Sequence, residues 1–149
     1  ATYAQSQGVK AHGMNLGGRY VFPFGSVKFV PALHSSGYEI DGVMTYMGEA
    51  SGIILEAEDK KIYHAGDTAL FSDMRLFAKD KSIDVAFLPI GDNYTMGPED
   101  ALEAVSYLNP EITIPIHYNT FPVIQQNPAI FVEQVVGGKV LNPGETILV

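Results

Sequence analysis

The sequence contains no cysteine, so it offers neither a disulfide nor a thiolate metal site, which fits a reducing compartment. No apolar run approaches the roughly 20 residues that span a bilayer, and no signal peptide is visible. A cytoplasmic location with no membrane partner is expected. Basic residues are scarce: nine Lys and Arg stand against 17 Asp and Glu, a formal charge of −8. Such a chain is repelled by phosphate backbones and anionic lipid, which argues against nucleic-acid partners. A P-loop, a G-x-G-x-x-G and a G-x-S-x-G elbow are all absent. The stretch GDNYTMGPED at 91–100 lacks the alternating acidic positions of a calcium loop.

What is present is enough for one domain with a real core: 149 residues, 46% hydrophobic and 17% charged. No repeat or linker divides it, so 1–149 reads as a single unit. Residue 1 is alanine, and ATYAQSQGVKAHG resembles the tail of a helix running into a strand at 9–12, so further sequence upstream is expected. Two strands follow within 15–33, with Gly25-Ser26 as the turn between them. Residues 35–50 read as a polar loop, and 52–57 with 60–64 as a hairpin around Glu58-Asp59. Ser72 or Asp73 caps a helix expected over 73–79. DVAFLPI at 84–90 is a continuous apolar run, the mark of a strand covered on both faces. Pro98 opens a helix with Glu99 and Asp100 in its first turn. EITIPIH at 111–117 is another buried strand. Asn127-Pro128 starts a helix expected to run to Gly137-Gly138, and two short strands around an Asn-Pro-Gly turn close the chain. Hairpins first, then strand–helix–strand units, give a mixed α/β domain with helices layered on a sheet.

Four apolar strands end in titratable residues: one at His34, one at His64 with Asp67 just beyond, one at Asp92 and one at His117. Ligands collect at the carboxyl ends of strands in layered α/β folds. Pro31, Pro89 and Pro115 precede these residues and belong where a strand leaves its neighbours. Each histidine alone is ordinary, and an Asp after Gly is more often a turn residue than a ligand. Together, histidines and an aspartate at neighbouring strand ends make a nitrogen and oxygen site for a divalent transition metal. His12 lies outside this set and reads as a surface or packing histidine.

The ordered motifs VPALHSS, KIYHAGDTALFSDM, LPIGDNYTMGPEDA and PIHYNTFP resemble the metallo-β-lactamase superfamily. Within it they are most similar to the branch of metal-dependent hydrolases related to ascorbate-6-phosphate lactonase. The resemblance implies an αββα sandwich, of which this chain resembles the C-terminal part. It implies that His34 and His117 are metal ligands and that Asp67 bridges two divalent ions, zinc foremost, with manganese, nickel or iron also suited. His64 would orient a ligand or meet substrate. Asp92, Tyr118 and Asn119 would lie beside the site, where they orient ligands or simply hydrogen-bond their loops. The family usually has glycine where Ala69 follows Gly66-Asp67-Thr68, so that turn is expected to differ slightly. The superfamily's leading motif, His-x-His-x-Asp-His, is absent from these residues. The implied activity is metal-dependent hydrolysis of a small ester, lactone or phosphoester, with an N-terminal segment or separate chain supplying the remaining ligands. The alternative is a catalytically silent half-domain that acts as an assembly partner or metal-binding module. Half a sandwich leaves an apolar sheet face uncovered, so association, including a homo-oligomer, is expected.

Overall fold

A computed structural model describes all 149 residues. A short helix α1 (Thr2–Ser6) is followed by β1 (Arg19–Phe22), β2 (Gly25–Pro31), β3 (Gly37–Ile40), β4 (Val43–Tyr46), β5 (Ser51–Ala57) and β6 (Lys60–His64). A 3-10 helix (Ser72–Leu76) then leads to β7 (Val85–Pro89), α2 (Pro98–Leu108) and β8 (Ile112–Ile116). A second 3-10 helix (Pro122–Ile124) and α3 (Pro128–Val132) complete the regular elements. One six-stranded sheet has the order β1-β2-β5-β6-β7-β8, and β3 and β4 form a separate ribbon. The joins from β1 to β6 are antiparallel, while β6–β7 and β7–β8 are parallel. Because β2 is antiparallel to β5 and β5 to β6, strand β2 runs in the same direction as β6, β7 and β8. The carboxyl ends of these four strands therefore lie along one rim.

Alternation along the strands sorts their side chains onto two faces. One face carries Tyr63, Ala86 and Leu88 into the main core, where α2 lays Ala101, Ala104 and Leu108 over them. Phe131 of α3 and Met74 of the first 3-10 helix extend the same core. Each such large apolar side chain, fully buried, contributes about 1.5–3 kcal/mol. The opposite face is also apolar. Register aligns Val27, Leu55, Ile62, Val85 and Ile112 in one row, and Phe29, Ile53, His64, Phe87 and Ile114 in the next. Leu141 and Ile147 cover its β7–β8 end, while Ile53 remains 38% exposed. The chain thus forms one sheet with helices on one side and a largely open apolar face on the other.

Several local expectations are corrected. Residues 9–12 are not a strand. The β1–β2 turn is Pro23-Phe24, with Gly25 already paired to Phe22. The 35–50 stretch is not merely a loop, because it folds as the β3–β4 hairpin around Asp41-Gly42, both at positive φ. Asp-Gly is a strong hairpin signal, so this element was legible. The expected helix over 73–79 is a 3-10 helix over Ser72–Leu76 whose side chains provide no cap. Asn127 does cap α3, accepting from the Ala129 N–H at 3.0 Å, but that helix ends at Val132. The final strands do not form: 139–149 turns through Asn142 and Glu145 and packs Leu141 and Ile147 on the sheet instead.

Charged groups tie β6 to the start of β7. The Lys61 ammonium, with its side chain 2% exposed, donates to Asp80 Oδ1 at 2.7 Å. Asp84 accepts from the Lys61 N–H at 2.8 Å and pairs with the Lys60 ammonium at 3.2 Å. The Lys61 hydrogen bond holds the Asp80 carboxyl below its ordinary pKa. Burial opposes ionisation of Asp84, yet the Lys61 amide and the Lys60 ammonium outweigh it, so its pKa is also depressed. Carboxyls with depressed folded-state pKa values stabilise the fold fully above the ordinary carboxylate range and lose that contribution as pH falls through their folded values. Urea-unfolding midpoints are therefore expected to hold from neutrality to about pH 5 and to fall below about pH 4. Asp84→Asn should blunt that fall, and an equally steep acid loss in the variant would refute the assignment.

Candidate metal centre

The turns after β2, β6 and β7 are joined to one another by hydrogen bonds. His34 follows β2, Asp67 follows β6, Asp92 follows β7 and His117 follows β8 directly. Thr68, fully buried, is the latch between the first two turns. Its hydroxyl accepts from the Leu33 N–H at 2.9 Å, and the Ala69 N–H donates back to the Leu33 carbonyl at 3.0 Å. The Met96 N–H donates to the Thr68 carbonyl at 2.9 Å, which joins the loop after β7 to the same turn. Positive φ in the Gly66–Ala69 turn falls on Gly66, at 66°, and not on Ala69, so the alanine is tolerated there without strain. A Cβ at Gly66 would meet the Ser51 carbonyl at 2.7 Å.

His117 and Asp67 are brought together. Nε2 of His117 lies 3.6 Å from Oδ2 of Asp67, with the side chains 23% and 50% exposed. That separation is long for a hydrogen bond. It is close to the ~3.4 Å edge expected between two ligands of one tetrahedral ion with bonds of about 2.1 Å. His117 sits at φ 53°, a conformation costly for a residue with a Cβ. Its Nδ1 is buried without a hydrogen-bond partner. Eight non-glycine residues have positive φ, and four of them (Asp92, Asn93, His117 and Asn119) are on this rim, while the others are turn or helix-end positions. Positive-φ backbone thus gathers at this rim, with His117 its one imidazole-bearing member.

His34 is exposed, and its Nδ1 donates to the Ser35 carbonyl at 2.7 Å. A carbonyl can only accept, so a neutral ring carries its proton on Nδ1 and leaves the Nε2 lone pair free, the form that binds metal. No three His, Asp or Glu side chains converge as a metal-holding group, so the three residues do not form a closed cluster. The donors fit a divalent ion as a partial set. His64 lies on the open sheet face, stacked on Phe87 with centroids 5.7 Å apart. Its Nδ1 accepts from the Gly66 N–H at 3.1 Å. Burial lowers the His64 pKa, and the nearby Asp67 charge opposes the shift.

Asp92 turns back on its own loop, accepting from the Asn93 N–H at 2.7 Å. Asn119 likewise accepts from the Gln126 N–H at 2.8 Å. Tyr118 packs against the core, and burial raises its pKa. His12 stacks on Tyr20 at 3.9 Å, away from the rim strand ends. Two residues that organise the rim were not singled out by sequence. Thr68 read only as a turn residue, with nothing to mark its hydroxyl as a latch. Gly91 abuts His117: a Cβ there would lie 2.3 Å from the His117 carbonyl and 3.1 Å from its Nδ1. A lone glycine closing an apolar strand run is a signal of such close approach.

Residues 1–118 match the beta-lactamase superfamily domain. The chain belongs to the metallo-β-lactamase superfamily and has its fold. It is 98% identical over 149 residues to a UPF0173 metal-dependent hydrolase of Enterococcus faecalis, and all of this chain covers 66% of that protein. It is 54% identical over 151 residues to a metal-dependent hydrolase of Bacillus cereus, with 99% of this chain and 66% of the relative aligned. Among solved structures it is similar to Igni18, a metallo hydrolase from Ignicoccus hospitalis, at 36% identity and a TM-score of 0.84, covering 98% of this chain and 64% of that one. The chain thus spans 66% of the length of these curated relatives.

Proposed function

We propose that these residues form one wall of the metal centre of a hydrolase, with Asp67, His117 and His34 as its ligands here. The observation that carries this is the 3.6 Å approach of His117 Nε2 to Asp67 Oδ2, with the histidine held in a strained backbone conformation at a strand end. The names of the relatives, metal-dependent hydrolases, support the same chemistry. Asp67 supplies the negative charge and, as a bridge, would serve two ions. His34 presents a free Nε2, and its Ser35 bond keeps the ring in the ligating tautomer. These residues would hold a divalent ion, which would supply water activation and Lewis-acid chemistry towards a carbonyl or phosphoryl group. The substrate class is a small ester, lactone or phosphoester. The remaining ligands come from sequence outside these residues, which also covers the open apolar face of the sheet.

Metal analysis tests this. The full-length protein is expected to hold about two tightly bound divalent ions per chain, and residues 1–149 alone well under two. Two tight ions on residues 1–149 alone would sink the shared-site proposal. Full metal content in a His117→Ala full-length variant would remove that residue from the site.

A further inference from the structure

We propose that the recess between the β1–β2–β5 side of the sheet and the Ser72–Leu76 helix binds a small organic anion with a dianionic head and an apolar body, at a site separate from the metal rim. Register places Arg19, Lys28, Glu56 and Lys61 on the helix-covered face, beside Val30 and Ile54. The same face farther along carries Tyr63, Ala86 and Leu88 into the core and no charged side chain. Towards β1 the face opens into a recess of about 500 Å³, closed on its other side by Leu76, Phe77, Lys79 and Asp80. Four cationic side chains thus line it against two carboxylates, in a chain whose formal charge is −8.

The pairing within the recess is incomplete. Arg19 is matched by Glu56 at 2.8 Å, and Lys61 by Asp80 at 2.7 Å. Lys28 and Lys79 have no carboxylate within 4.0 Å. The buried Lys61 ammonium has three donors and uses two, on Asp80 and on the Lys81 carbonyl at 3.1 Å. Two unpaired ammonium groups and a spare buried donor match a dianion such as a phosphate or phosphonate, since charge-assisted bonds to such groups are the strong ones. Val30, Ile54, Leu76 and Phe77 offer the apolar wall for the rest of the molecule. None of the lining residues belongs to the rim that holds His34, Asp67 and His117.

Isothermal titration of the full-length protein with phenylphosphonate tests the site. One saturable site with Kd on the order of 0.1–1 mM is expected, weakening as salt is raised. Lys28→Gln with Lys79→Gln should weaken binding at least about tenfold, and the exposed Lys79→Gln alone by about threefold. Neither lysine carries a pair, so the unfolding midpoint should not move. Asp67→Asn, which alters the rim, should leave the affinity within about twofold. Absence of saturable binding, or binding unchanged in both lysine variants, overturns the proposal. Binding lost in Asp67→Asn but kept in the lysine variants puts the phosphonate at the metal rim, which overturns this site and leaves the hydrolase proposal standing.

Discussion

Asp67→Ala in the full-length protein is expected to lower bound divalent metal sharply and to reduce hydrolysis at least about a hundredfold, with the fold intact. The reason is that the Asp67 carboxylate takes no part in the chain's own architecture. Its one close partner is His117 Nε2 at 3.6 Å, and the turn around it is held instead by Thr68, Leu33 and Ala69. Removing the carboxylate therefore removes a donor and a charge without removing a hydrogen bond that folding needs. Metal content and the metal-free unfolding midpoint should be measured side by side. Lost metal with an unchanged midpoint is the signature of a ligand. Retained metal, or a midpoint that falls as far as the activity does, would assign Asp67 a structural role.

The second large effect is expected at Gly91. A Cβ added there meets the His117 carbonyl at 2.3 Å, its Nδ1 at 3.1 Å and the Ile124 Cβ at 3.1 Å. Two of those atoms belong to His117, the proposed ligand beside Asp67, and the first is backbone, so neither a rotamer change nor a flexible tip relieves the clash. Gly91→Ala is expected to cost about 2–3 kcal/mol, a midpoint loss of about 5–10 °C. It should also weaken metal binding, because relief of the clash moves His117. Gly97→Ala is the useful control: its Cβ would meet the Asp92 side chain no closer than 3.3 Å, and a small effect is expected there. Equal losses at the two positions, measured by thermal unfolding and metal content, would show that crowding against His117 is not the cause.

Much of this protein was legible before folding was considered. The hairpin around Glu58-Asp59, the apolar strands at 84–90 and 111–117 and the helix opened by Pro98 all form close to where composition and turn residues put them. They are local signals: periodicity, proline at a helix start and polar residues at strand ends act over a few residues. The four strand ends bearing His34, Asp67, Asp92 and His117 do share one rim, and their order in sequence already singled them out. Some misses were local, as at the β3–β4 hairpin and the Pro23-Phe24 turn, whereas those towards the C-terminus depend on distant partners. The final strands at 139–149 had the right residues, but the segment packs Leu141 and Ile147 on the second sheet face instead of pairing as a hairpin. The helix after Asn127 started where its cap put it and stopped early at Val132, after which the chain passes close to β8 through a bridge between Thr113 and Gly138.

Sequence by itself determined the family and the layered α/β character and singled out His34, Asp67 and His117 as candidate ligands, because each of these is carried by residue type, motif and spacing. Only tertiary structure decided which of those residues meet. It set His117 against Asp67, turned Asp92 and Asn119 back onto their own loops and laid His64 along the apolar face on Phe87. It also gave Thr68 and Gly91 their roles, since a latch and a close approach exist only once strands far apart in the chain lie side by side.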